Sequence, residues 1–276
     1  MAVNPSITAR PLPEGEIVAA IARGGPAVVA LSGGVDSGLV AALAREALGD
    51  RATAVTLTGS AVAASELAVA RSVARTVGIS HVVVEADPLV RDDYRANRSD
   101  RCYHCRSVEA GAVRAWAADR AIDQFLDGVQ ADDLGDDRPG LRAMDEAGFR
   151  HPLLAAGWGK AAVRTAARRR GLPNWDRPSN ACLASRVAHG TSIDPDLLAR
   201  IDAAERLVAA RGFRRVRVRV SPAGARIEVD PDEVARLTAE PTAAEVVDAV
   251  RGLGFDRVEI DPRGYGALRA GLTVVR

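Results

Sequence analysis

The chain has 276 residues, 47% of them hydrophobic and 26% charged, enough for one large or two modest domains with buried cores, which excludes disorder over most of its length. Thirty-seven Lys and Arg against 36 Asp and Glu leave a formal charge of +1, which excludes the broad cationic field that non-specific nucleic-acid binding needs. Aromatics at 4% argue against a stacking platform for single-stranded bases, so no nucleic-acid partner is expected.

No apolar stretch approaches the ~18 residues of a spanning helix, and Met1 to Pro13 lacks a charged-then-apolar signal pattern. No membrane is expected as a partner, and the expected location is the cytoplasm. In chain order, Ala27 to Leu31 reads as a strand that ends in Ser32-Gly33-Gly34, and Val35, Leu39, Val40, Leu43, Ala44 and Ala47 follow at helical spacing. A strand at Ala52 to Leu57 precedes a helix from about Ser65 to Val77, stopped by Gly78, and a strand at His81 to Glu85. A helix from about Tyr103 to Asp119 leads to a strand at Ala121 to Leu126. Strands separated by helices predict βαβ units, hence an α/β fold with a parallel sheet covered on both faces.

From Gly128 to Asn180 the pattern loosens into polar turns, Asp132 to Asp137 among them, with helices near Gly140 to Gly148 and Gly159 to Gly171. Beyond Gly190 come a helix at Asp194 to Arg211, strands at Arg215 to Val220 and Ala225 to Val229, helices near Pro231 to Leu237 and Ala243 to Leu253, and a strand at Arg257 to Ile260. The expected division is residues 1–188 as the nucleotide domain and 189–276 as a smaller α+β domain for substrate or oligomer contacts.

Ser32-Gly33-Gly34-Val35-Asp36-Ser37, between a strand and a helix, has the composition of an anion cradle. Glycines admit a close backbone approach, free amides and the positive helix end attract the anion, and Ser32 and Ser37 add hydroxyls. The loop lacks the lysine of a Walker A motif. A ligand-free strand-to-helix turn is the plain alternative. The hexapeptide resembles the signature of the ATP pyrophosphatase (PP-loop) superfamily, whose chemistry is release of pyrophosphate and adenylation of an acceptor. The resemblance implies ATP bound by Ser32 to Ser37, adenine near Thr56 to Ser60 with Thr58 in contact, Gly128 beside the nucleotide, and Mg²⁺ held by Asp36 and Asp132. Helix capping and turn formation are the plain readings of those two acids.

Cys102, Cys105 and Cys182 cannot all pair within one chain. A zinc site would take a fourth ligand from His104, His151 or His189; a redox dithiol would leave Cys182 unexplained; three thiolates on a [4Fe-4S] cluster would leave one iron open. Ordinary buried thiols are the remaining possibility. Arg101, Arg106 and Arg186 beside them would stabilise thiolates or neutralise an anionic substrate. Arg217 and Arg219, two apart on a strand, share a face that could clamp a phosphate or carboxylate, or could simply be solvated.

SGGVDS, DRCYHCR, QADDLGDDRPGLRA, LPNWDRPSNACLASR and FRRVRVRV together resemble one family across nearly the whole chain, the LarE family of ATP-dependent sulfur transferases that build a nickel-pincer nucleotide. The resemblance implies adenylation of a carboxylate of pyridinium-3,5-biscarboxylic acid mononucleotide and displacement of AMP by sulfur. In three-cysteine members, which this chain resembles, Cys102, Cys105 and Cys182 would hold [4Fe-4S] and a cluster-bound sulfide would be the donor; in single-cysteine members the residue matching Cys182 gives up its own sulfur. Ser185, Arg186 and Glu228 fall in the family's substrate region, and Cys182, Asp36, Ser185 and Arg186 are the catalytic candidates. Homo-oligomers are implied by the same resemblance, and the source of sulfide is left open. The competing readings are a tRNA thiolase of the same superfamily, which a basic surface from Arg164, Arg168, Arg169 and Arg170 to Arg217 would favour, and a metal-binding protein without catalysis.

Overall fold

The computed structural model describes residues 11–135 and 139–266, so Asp136 and Asp137 of the polar turn lie outside the described residues. The chain divides into two compact units: Met1–Tyr94 with Asp100–Asn180, and Arg95–Ser99 with Ala181–Arg276.

The first unit is an α/β layer structure. It runs α1 (Glu14–Arg23), β1 (Ala27–Ala30), α2 (Val35–Leu48), β2 (Ala52–Thr58), α3 (Ala64–Val77), β3 (Ser80–Glu85), a single turn α4 (Asp92–Arg95) that leads out of the unit, α5 (Arg101–Ala118), β4 (Gln124–Leu126), α6 (Pro139–Glu146), β5 (Phe149–Arg150), α7 (Pro152–Ala155) and α8 (Lys160–Arg169). The five strands are all parallel in the order β3-β2-β1-β4-β5. Ala27, Val28 and Val29 of the central strand are wholly buried because parallel strands are covered on both faces. One apolar cluster packs α1, α2, α3 and α8 on one face (Ile21, Leu39, Leu43, Val73, Val163), and a second packs α5 on the other through Val28, Val113, Phe125 and Phe149. Helix α2 is buried nearly all round.

Four elements of this unit escaped sequence reasoning, the single turns α4 and α7 among them. Helix α1 buries only Ile17 and Ile21, a weak periodic signal, and its Glu14 pairs with Arg169 at the end of α8 and with Arg170 just beyond it. Strand β5 is two residues long and exists by pairing with β4. The strand expected at Ala121 to Leu126 is shorter, beginning at Gln124, because Ala121 turns at φ 51°.

The second unit holds α9 (Pro195–Ala209), β6 (Val216–Ser221), β7 (Gly224–Val229), α10 (Val234–Thr238), α11 (Thr242–Arg251) and β8 (Val258–Ile260). Its sheet has the order β6-β7-β8, with an antiparallel β6/β7 hairpin and a parallel β7/β8 pair. Asp194 caps α9 by accepting the Leu197 N–H at 2.8 Å. The unit begins at Ala181, eight residues before the division expected from sequence, because Val187 bridges to Val220 and Arg186 pairs with Glu205. Residues 95–99 join it through Asn97, fully buried, whose Nδ2 donates to the carbonyls of Ala188 and Thr191 at 2.9 Å each. No helix among the described residues is long and apolar enough to cross a membrane.

Leu39 is fully buried in the middle of α2. Leu39→Ala is expected to lower the unfolding free energy by about 2–5 kcal/mol in urea titration, the range for a truncated core leucine.

Candidate functional site

The residues of the loop candidate converge at the carboxyl end of β1, where ligands bind in open parallel sheets. Ser32 N–H donates to Ser37 Oγ at 3.2 Å, Ser37 Oγ donates to the Gly34 carbonyl at 3.2 Å, and the two hydroxyls lie 3.1 Å apart. Val35, Asp36 and Ser37 open α2, with Gly34 as its N-cap. Gly33 has φ 87°, and a Cβ there would fall 2.9 Å from the Glu66 carbonyl oxygen of α3. Both features demand glycine. Thr56, one strand over, donates to the Leu31 carbonyl at 2.7 Å, and Thr58 ends β2 half-buried.

Gly128, two residues beyond β4, packs directly on this loop. A Cβ on it would lie 2.5 Å from Ser37 N and 2.8 Å from Asp36 C, contacts no side chain can occupy. Asp127 just before it accepts from His151 Nδ1 at 2.7 Å, while His151 Nε2 reaches Asp145 Oδ1 at 2.8 Å. Burial pulls the His151 pKa down, but the two carboxylates outweigh it and hold the imidazolium above its ordinary range.

The carboxyl of Asp36 faces inward. Its Oδ1 is buried without a hydrogen-bond partner, and its Oδ2 accepts from Lys160 Nζ at 2.5 Å. Burial raises the Asp36 pKa; Lys160 opposes the rise and Asp133 adds to it. A buried acceptor without a donor suits a hard cation, so the residues present fit Mg²⁺ at Asp36. Asp132 is engaged as a cap: its Oδ2 accepts the Lys160 N–H at 2.8 Å at the start of α8.

Lys160 was missed in the sequence. The signal was there, since it is the single lysine among the chain's 37 basic residues and all the others are arginine. A compact rotating ammonium is a different tool from a planar guanidinium.

The CxxC pair lies at the start of α5, which begins at Arg101 rather than Tyr103, so Cys102 and Cys105 lie three residues apart on one helical face. Cys102 is exposed and Cys105 half-buried, its Sγ donating to Glu109 Oε1 at 3.5 Å; Arg106 pairs with the other oxygen of Glu109 at 2.7 Å. Cys182 is exposed in the second unit, ahead of a 3-10 turn at Leu183–Arg186. None of the three is in a disulfide. Among the described residues, no group of three or more His, Cys, Asp or Glu side chains stands ready as a metal site.

In the second unit Cys182, Ser185, Arg186, Arg219 and Glu228 belong to one network, with Arg217 on the same strand face as Arg219. Arg186, expected at the substrate, is 1% exposed and turned inward. It forks onto Glu205 at 2.8 and 3.1 Å and donates to the carbonyls of Ala181 and Cys182 and to Ser185 Oγ. Its geometry is that of a residue that holds the Cys182 turn, because a buried guanidinium must satisfy its donors locally. Glu205 Oε1 also accepts the Val218 N–H at 3.0 Å, tying that turn to β6. Arg217 and Arg219 share a face of β6 opposite Glu228 and Arg226 of β7. Arg219 donates to Glu228 at 3.2 Å and to the Ser185 carbonyl at 3.1 Å, and Arg217 lies over Tyr265. Burial, then the neighbouring Arg186, lowers Arg217 to about 10, still a cation at neutral pH.

Comparison with known proteins adds the following. Residues 18–121 match the family model described as asparagine synthase. An uncharacterized protein of Synechocystis sp. is 36% identical over 87% of this chain and 89% of its own length. The pyridinium-3,5-bisthiocarboxylic acid mononucleotide synthase of Lactiplantibacillus plantarum is 32% identical over 90% of each chain. A tRNA-specific 2-thiouridylase of Rhizorhabdus wittichii is 38% identical over 40% of this chain and 31% of its own length.

The His151 carboxylate pair carries a pH signature. Its pKa is raised on folding, so its stabilisation is complete below the unfolded value of about 6.5 and is lost as pH rises through the higher folded value. Urea midpoints of the wild type should fall between pH 6 and pH 9 more steeply than those of His151→Gln; parallel curves would remove the assignment.

Proposed function

The chain belongs to the LarE family of ATP-dependent sulfur transferases, and from that membership we propose that it adenylates a carboxylate of pyridinium-3,5-biscarboxylic acid mononucleotide and replaces AMP with sulfur to give a thiocarboxylate. The observation that carries the adenylation half is the Ser32 to Ser37 loop with the partnerless buried oxygen of Asp36 beside it. Loop amides and the start of α2 take the triphosphate, Ser32 and Ser37 add hydroxyls, and Thr58 and Gly128 border the nucleotide. Asp36, through Oδ1, and Asp132 are the carboxylates offered to Mg²⁺, which supplies charge neutralisation on the phosphates when bound. Lys160, three rotatable donors on one charge, supports the same phosphates and steadies Asp36.

In the first step a substrate carboxylate oxygen bonds to the α-phosphorus as the bridge to the β-phosphate breaks, and pyrophosphate leaves with the electron pair. In the second, sulfur bonds to the carbonyl carbon and the bond to AMP breaks, a substitution that adenylation makes easy because AMP is a far better leaving group than oxide. Arg217 and Arg219 are the cations for the substrate's phosphate or second carboxylate, with Glu228 setting their orientation and Ser185 alongside. Arg186 positions Cys182. Cys102, Cys105 and Cys182 are the thiols that would hold a [4Fe-4S] cluster, and the chemistry it would supply is delivery of sulfide. A reducing cytoplasm suits such thiols.

Thiolation of a tRNA has in its favour the partial likeness to a 2-thiouridylase. Against it, the arginine face of α8 is used internally: Arg169 and Arg170 pair with Glu14, Arg170 also with Glu46, and Arg168 covers Trp175. Transfer of Cys182's own sulfur is the other alternative, and it ends after one turnover.

The test separates the two half-reactions. Anaerobically reconstituted protein should hold about four irons per chain; tightly bound zinc without visible colour rejects the cluster. Cys182→Ala should abolish thiocarboxylate while pyrophosphate release stays within about threefold, and Lys160→Arg should cut pyrophosphate release at least about tenfold. Equal loss of both products in Cys182→Ala would remove that residue from the sulfur step.

A further inference from the structure

Asn174 is 1% exposed, and its side chain points at the phosphate loop rather than at solvent. Its Nδ2 donates to the Gly33 carbonyl at 2.8 Å, and its Oδ1 is buried with no hydrogen-bond partner. The reverse orientation of the amide would set Oδ1 against the Gly33 oxygen, acceptor against acceptor, so the orientation is fixed by that one bond. Both amide atoms lie within 3.6 Å of where a Cβ on Gly38 would stand, so Asn174 is wedged between the loop and the second turn of α2.

An unsatisfied buried acceptor destabilises a fold. An apolar side chain of the same size would remove that acceptor but leave the Gly33 carbonyl without its donor. What only an amide provides here is a donor to the Gly33 carbonyl. That carbonyl shares a planar trans peptide with the Gly34 N–H, and in such a unit the two bonds point in opposite directions. Holding the oxygen toward Asn174 therefore aims the Gly34 N–H away from it. That amide makes only a long contact, 3.4 Å to Ser32 Oγ, and it belongs to the N-cap of α2, where the partial positive charge of the helix is concentrated. Gly33 and Gly34 lack the Cβ that would otherwise resist rotation of this peptide, and the turned peptide would present an oxygen, not a donor, to an anion.

We propose that Asn174 is a positioning residue for the nucleotide's phosphates: by holding the Gly33 carbonyl inward it keeps the Gly34 amide as a phosphate donor. The inference rests on the loop being the ATP site. Asn174 touches no phosphate itself, so its effect falls on the phosphate part of the ligand and spares the nucleoside part.

The experiment measures binding of ATP with Mg²⁺, of inorganic pyrophosphate and of adenosine to the full chain, for wild type, Asn174→Leu and Asn174→Asp. Leucine removes the donor at similar volume; aspartate is isosteric and at neutral pH offers only acceptors. ATP and pyrophosphate should bind at least about tenfold more weakly in both variants, with adenosine within about twofold. If the leucine variant does not fold, the aspartate variant decides alone. ATP affinity within about twofold of wild type, or an equal loss for adenosine, overturns the proposal. Asp36→Ala, measured alongside, separates the two levels. If it leaves ATP affinity unchanged, the loop is not the nucleotide site and both readings fall. If it weakens ATP while the Asn174 variants do not, only the role of Asn174 falls.

Discussion

The constraint on which the first unit depends is the absence of side chains where β4 meets the start of α2. The backbone of Gly128 stands so close to Asp36 and Ser37 that even a methyl group would overlap the main chain. On the other side a Cβ on Gly33 would fall 2.9 Å from the Glu66 carbonyl oxygen of α3. Close approach on both sides restricts the loop, and a loop with fewer conformations open to it loses less entropy when it binds an anion. Everything polar nearby serves that geometry: the two serine hydroxyls brace it, Thr56 holds the Leu31 carbonyl, and Asn174 holds that of Gly33.

The second unit solves a different problem with the opposite means. Its organising residue is a buried arginine. Arg186 is held by both oxygens of Glu205, and its remaining donors gather the carbonyls of the Cys182 turn. A guanidinium deprived of water must find all its partners in the protein, so this one fixes the turn it belongs to while Cys182 stays exposed. The same economy of type runs through the chain: arginine fills every basic position that forks or stacks, and the single lysine is found where one ammonium meets the loop carboxylate.

Membership of the sulfur-transferase family rests on likeness over nearly the whole chain, and the function proposed above gives these two arrangements a chemical purpose. A rigid anion loop suits a nucleotide whose phosphates must be held while one bond breaks. An exposed thiol on a braced turn suits a sulfur step that needs access and a fixed direction. Both properties follow from local geometry within each unit.

By itself the sequence determined the alternation of strands and helices from β1 to β3 and from α5 to β4, the parallel sheet, the loop and its carboxylate, and the alternating cationic face of β6. Each of these is written in short-range terms: apolar period, glycine at a strand end, charge every second residue. Tertiary structure alone decided the rest. Lys160 and Asn174 lie 124 and 141 residues from the loop atoms they hold, and no periodicity announces a partner at that distance. Arg186 looked like a surface ligand for substrate because its character comes from Glu205, not from its neighbours in sequence. Residues 95–99 joined the second unit through the carbonyls that Asn97 finds there. Local pattern encodes what a segment becomes; which distant groups satisfy its buried polar atoms is settled only when the chain has folded and water has been excluded.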